Sequence, residues 1–197
     1  MGLSIDELRK NYKSFSDDEL IRLATREASG LTPEGLQVLT EEIKRRNLSH
    51  DLIKGIEVQF NPLGEEAFSG YCELIRNQPC PICGSSSHKL NATITGSVVS
   101  VLIVTSYVKQ LVIACPSCLN KANKHAMIKS ALLGWWGLPF GFIRTIQAFI
   151  LNNKMSSVAW LDEPNDLLKA FVVSHIGAIE ANTNNAEGLQ ALTKYPR

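Results

Sequence analysis

Two cysteine pairs constrain this chain more than any other feature: Cys80-Pro81-Ile82-Cys83 and Cys115-Pro116-Ser117-Cys118, separated by residues 84 to 114. A CxxC turn points two sulfurs at one place, and two such turns brought together supply the four thiolates that tetrahedral zinc prefers. The spacing therefore predicts a structural Zn2+ held by Cys80, Cys83, Cys115 and Cys118. Four cysteines close the coordination shell and leave no open position for a catalytic water. The pattern is strong for a metal and weak for a reaction.

Between the pairs the hydrophobic period is two. Leu90, Ala92 and Ile94 alternate with Lys89, Asn91, Thr93 and Thr95, the pattern of a half-buried strand. Gly96 reads as a turn or bulge, residues 97 to 107 as a second strand, and residues 111 to 114 as a third that delivers Cys115. The expectation is a three-stranded ribbon with a cysteine knuckle at each end. Residues 98 to 108 are too few to span a bilayer, and Lys109-Gln110 interrupts them.

The segment after Cys118 is basic and then apolar. A helix from Asn120 places Lys121, His125 and Lys129 on one face with Lys124 beside them. It runs into LLGWWGLPFG at 132 to 141, where glycines and a proline interrupt regular structure. A second apolar helix follows, with Phe142, Ile143, Ile146, Phe149 and Ile150 on one stripe. No charge occurs from Ser130 to Ile143, and Arg144 then intervenes. Such a run is shorter than the roughly 20 residues of a spanning helix and suits a buried, re-entrant or interfacial hairpin. Two readings stay open: soluble core packed on the ribbon, or a membrane or partner contact made by Lys121, Lys124, Lys129, Trp135, Trp136, Phe140, Phe142 and Arg144.

Charge supports a surface role for the middle. Residues 1 to 60 carry nine Lys/Arg against eleven Asp/Glu, residues 61 to 160 eight against three, and residues 161 to 197 three against five. Between Glu73 and Asp162 there is no acidic side chain. An anionic partner, phospholipid or nucleic acid, would meet this stretch.

The first sixty residues read as short helices. Ser16-Asp17-Asp18-Glu19 has capping-box form, and Thr32-Pro33 opens a second helix with Leu36, Leu39 and Ile43 as its stripe. Lys44-Arg45-Arg46 sit where the helix dipole favours cations. Further helices are expected from Ser49 to Phe60 and from Glu65 to Arg76, the latter carrying Cys72 as a small buried residue. Asp162-Glu163-Pro164 opens a C-terminal helix with Leu168, Phe171, Val172, His175 and Ile179 on one side, followed by a loose tail. His175 reads as a hydrogen-bonded core residue.

The stretches YKSFSDDEL (12 to 20), LTPEGL (31 to 36) and EEIKRRNL (41 to 48) resemble a helical hairpin that recurs in uncharacterised bacterial proteins, often beside membrane segments. ALLGWWGLPFGFIRTIQA at 131 to 148 resembles a signature seen after paired CxxC motifs in bacterial proteins of unknown function. The resemblance implies architecture more than activity.

The expected fold is α+β: an N-terminal helical module (1–60), a linker helix and three-stranded zinc ribbon (61–118), a basic and hydrophobic helical hairpin (119–155), and a C-terminal helix and tail (156–197). The function it suggests is a non-catalytic adaptor or scaffold that meets an anionic membrane surface or a partner protein through residues 121–151. A nucleic-acid-binding ribbon is the alternative, although no repeated aromatic and basic platform is present. Redox chemistry at one CxxC fits poorly, because each pair has a matching partner. His50, His88, His125 and His175 are scattered, and no HExxH, GxSxG or phosphate-binding glycine loop occurs, so no enzyme is indicated. The opening MGLSIDELRK lacks an apolar core, which suggests a cytoplasmic protein, peripheral or monotopic on the inner face of the membrane.

Overall fold

The structure, a computed structural model, describes residues 4–61, 63–101, 104–136, 140–194 and 196. The helix break expected at Pro62 and the glycine and proline interruptions expected at 137 and 139 lie outside these residues. The chain divides into two compact units: Met1–Tyr71 with Val172–Leu189, and Cys72–Phe171 with Gln190–Arg197.

Short helices with chemically marked ends build the first unit. α1 (Ile5–Ser14) opens on a capping box in which the Glu7 N–H donates to Ser4 Oγ at 3.3 Å and the Ser4 N–H donates to Glu7 Oε2 at 2.8 Å. α2 (Asp17–Arg22) repeats the device with Ser16 and Glu19, then widens into a π-helical turn over Leu23–Glu27. α3 (Pro33–Arg45) begins with Pro33 in its first turn, and Thr32 Oγ1 accepts the Gly35 N–H at 3.2 Å. It stops at Asn47, whose φ of 54° is the left-handed conformation that asparagine tolerates. Together with α4 (Asp51–Glu57), these helices bury Leu20, Ala24, Leu39, Ile43 and Ile56 in one core.

The basic end of α3 works as a fastener within this unit. Arg46 donates to the backbone carbonyls of Tyr12, Lys13 and Phe15 at 3.2, 3.1 and 2.8 Å, and to the Asp17 and Glu42 carboxylates at 2.8 and 2.7 Å. Its guanidinium thus satisfies carbonyls left free at the end of α1.

α5 (Glu65–Arg76) brings the chain into the second unit, burying Cys72, Ile75 and Arg76. Two strands follow, β1 (Asn91–Val101) and β2 (Val104–Ala114), antiparallel and in register from Asn91 opposite Ala114 to Val101 opposite Val104. The expected three-stranded ribbon is therefore wrong: the sheet has two long strands. Gly96 is not a turn. It sits inside β1 opposite Lys109, at a point where a Cβ would meet Leu151 Cδ2 at 2.9 Å and the Tyr107 ring at 3.1 Å. Glycine is there because a helix passes close by.

That helix is the second of a pair. α6 (Pro116–Leu133) starts directly at the second knuckle rather than at Asn120, with Cys115 as N-cap and Pro116 in the first turn. α7 (Phe140–Val158) returns along β1. The chain closes with α8 (Asp166–Ser174), α9 (Ile176–Glu180) and α10 (Ala186–Lys194), in place of one helix and a tail. His175 separates α8 from α9; it is buried, and its Nδ1 lies 2.9 Å from Ser174 Oγ.

Candidate metal centre

The first knuckle is a turn and the second a helix start. After Cys80 the chain folds back on itself, so that the Gly84 N–H donates to Cys80 O at 2.8 Å and the Cys80 N–H donates to Ser85 O at 2.9 Å. Gly84 takes a φ of 71°, the left-handed value that closes such a turn. Cys118 lies in the first turn of α6, where the helix dipole favours a negative sulfur. Because Asn91 pairs with Ala114, the two ends of the β-hairpin bring the knuckles together.

The four sulfurs of Cys80, Cys83, Cys115 and Cys118 lie within 4.8 Å of one another, and Cys83 Sγ is 3.8 Å from Cys115 Sγ. This cluster can hold a metal ion. Cys80, Cys115 and Cys118 are buried and Cys83 is exposed. Burial pushes the Cys80 thiol up, but the N–H groups of Cys115, Cys83 and Ile82 outweigh it and bring the thiol down to about 7. Burial raises the Cys115 thiol, and burial together with the neighbouring Cys115 and Cys83 sulfurs raises the Cys118 thiol. Thiols this close cannot all ionise beside one another without a cation. A coordinated metal would supply it and deprotonate them together. Cys72 is buried on α5 apart from the cluster, and His88 is exposed outside it.

The centre is braced from behind. Arg76, buried on α5, donates from Nε to Leu90 O at 3.3 Å, from Nη1 to Glu73 at 2.7 Å, and from Nη2 to Asp162 O. Asn91 donates to the carbonyls of Leu161 and Glu163 at 3.2 and 3.0 Å.

The α6 and α7 hairpin is built the other way round from a water-soluble one. Beyond Leu119, which is buried next to the second knuckle, its inward positions are Asn123, Ala126, Ser130 and Gly134 on α6 and Gly141, Thr145, Ala148 and Asn152 on α7, all small or polar. These recur at intervals of three and four, so each set forms one helical face. The large apolar side chains point outward: Ile128, Leu132, Phe140, Phe142, Ile143, Ile146 and Ile150 are exposed, Phe140 and Ile150 at 65% each. Trp136 is 70% exposed, while Trp135 stacks obliquely on Phe142 and Phe149 at 5.2 and 6.2 Å. Lys121, Lys124, Lys129 and Arg144 are exposed as well.

The inward polar groups have a job that periodicity did not reveal. Asn152 accepts the Gly96 N–H at 3.0 Å and donates to Gly96 O at 2.7 Å, as a neighbouring strand would. Ser130 Oγ accepts the Val98 N–H at 3.0 Å, and Asn165 donates to Ala92 O at 2.7 Å. Side chains thereby close the outer edge of β1. The sequence did carry a signal: small residues at 126, 130, 134 and 141, 145, 148 mark faces meant for close approach. A Cβ on Gly134 would overlap Thr145 Oγ1.

No helix among the described residues is long and apolar enough to cross a membrane. No protein-family model, curated protein or solved structure matches this chain.

Proposed function

We propose that this protein is a non-catalytic zinc-stapled adaptor that docks on an anionic membrane surface through residues 121–151 of its helical hairpin. One observation carries the reading: the hairpin keeps small and hydrogen-bonding residues inside and large apolar ones outside. That is how helices pack when their surroundings are apolar, since small residues allow close approach and lipid supplies the outer contacts. Trp136, Phe140 and Phe142 then enter the headgroup region while Lys121, Lys124, Lys129 and Arg144 meet phosphates. The absence of any acid from 74 to 161 removes what would repel an anionic surface.

Zinc is the metal this reading assigns. Four thiolates at bonds of ~2.3 Å form a tetrahedron whose edges are about 3.8 Å, which is the Cys83 to Cys115 sulfur distance. The metal would fix the knuckles and hence the hairpin's direction, and a closed thiolate shell supplies no catalysis. The test is flotation of the zinc-loaded protein with vesicles. Recovery with phosphatidylglycerol vesicles and not with pure phosphatidylcholine is expected; recovery in the soluble fraction with both would refute the proposal.

A further inference from the structure

Between β2 and α7 lies a cleft of about 410 Å³. Tyr107 and Lys109, two residues apart on β2, project from the same face of the strand. Arg144, Gln147, Leu151 and Lys154 recur at intervals of three and four along α7 and line the opposite wall. Lys109 Nζ lies 5.6 Å and Arg144 Cζ 5.8 Å from the centre of the Tyr107 ring. Arg144 Nη1 donates to Gln147 Oε1 at 2.9 Å, which holds the guanidinium in place.

Three cations therefore line one cleft. None of them pairs with a described carboxylate. Like charges gathered around a common cavity repel, and the arrangement is relieved by an anion between them. Arginine and lysine with a neighbouring tyrosine suit phosphate oxygens in particular. The cleft is also flanked by an exposed apolar surface. Ile150 forms part of its rim and continues the outward stripe of Ile143 and Ile146 along α7. A ligand with its charge in the cleft would lay its apolar part along that stripe.

We infer that the cleft of Lys109, Arg144 and Lys154 over Tyr107 is a binding site for the phosphate headgroup of an anionic phospholipid. This rests on the membrane-docking reading and adds to it a defined headgroup position in place of general attraction. The adjoining apolar stripe favours a lipid over free phosphate, because a soluble anion makes no use of Ile150.

The experiment compares two triple variants of the full, zinc-loaded chain: K109Q/R144Q/K154Q in the cleft and K121Q/K124Q/K129Q on α6. Both remove three charges, so both lose general attraction of about fivefold per cation. Affinity for phosphatidylglycerol vesicles is read from the emission shift of the tryptophans. The cleft variant is expected to bind at least a further tenfold more weakly than the α6 variant. Equal losses in the two variants would overturn the headgroup site and leave membrane docking standing. No emission shift in the unsubstituted protein would overturn docking itself. A third arm adds millimolar inorganic phosphate at constant ionic strength. Displacement of the unsubstituted protein from vesicles, absent in the cleft variant, would reassign the cleft to free phosphate; retention on the vesicles supports the lipid.

Discussion

The helices of the first unit and the α6 and α7 hairpin of the second turn different kinds of side chain inward. In the first, Leu20, Leu39 and Ile43 are inside and, apart from the ion-paired Glu42, the charged residues of α1 to α3 are outside, as water demands. In the hairpin of the second, Asn123, Ser130, Thr145 and Asn152 are inside, and isoleucines, phenylalanines and a tryptophan are outside. The first unit gains stability by removing apolar area from water. The second forgoes much of that gain along α6 and α7, keeps an apolar core in Ile75, Leu90, Val98, Ile113, Leu168 and Phe171, and adds side-chain hydrogen bonds to β1 and four sulfurs able to hold a metal. The lesson is that a helical apolar stripe shows which face is greasy without showing which face is buried.

Metal removal should separate the units most sharply. Structural zinc contributes an apparent ~10–16 kcal/mol at neutral pH, and the inward line of α6 and α7 offers little apolar burial to replace it. Chelation is expected to abolish amide-exchange protection across β1, β2 and α6 while α1 to α4 keep theirs. Equal loss in both units would break the comparison.

Next in size is a matched pair of truncations. Leu39→Ala in the first core should cost about 2–5 kcal/mol, whereas Ile150→Ala on the exposed stripe should stay within about 0.5 kcal/mol. Denaturant titration reads both, and the same Ile150→Ala should weaken vesicle binding. A smaller effect falls on the polar interior: Asn152→Ala leaves the Gly96 N–H and C=O without partners and should cost about 1–3 kcal/mol. If that variant were as stable as the parent, the inward asparagine would have no structural role.

The smallest contrast is in acid. Hydrogen bonding from Arg45, with Arg46 adding to it, holds the Glu42 carboxyl down at about 2 against an ordinary value of 4.5. A depressed carboxylate stabilises fully above 4.5 and loses that contribution as pH falls toward about 2. Thermal melts of the first unit should decline through this window by on the order of 1 kcal/mol, since the solvent-facing Arg45 is screened. Glu42→Gln should make the slope shallower and leave the share of Glu7, Glu19, Glu41 and Asp51, whose carboxyls are also held below the ordinary range by hydrogen bonds.

Local chemistry was legible and tertiary chemistry was not. The Ser16 capping box, the Thr32-Pro33 start and the convergence of four cysteines all rest on residues a few positions apart or on a fixed spacing. Gly96 was misread because alternation cannot distinguish a glycine that turns the chain from one that admits a helix, and the residue that occupies its space, Leu151, is far along the sequence. Asn152 reads as a solvent-facing polar residue until its strand partner is known. α10 was missed although its signal was local, since the Gly188 N–H donates to Asn185 Oδ1 at 3.1 Å, an asparagine cap.

The pairing of Asn91 with Ala114 places the end of the β-hairpin directly against both knuckles. A slip of one residue along β2 would carry Cys115 by ~3.3 Å and turn Tyr107 and Lys109 to the opposite face of the sheet. The four sulfurs would no longer share one coordination sphere. A metal held there would thus act as a proofreader of strand alignment, accepting only the register that also assembles the cleft.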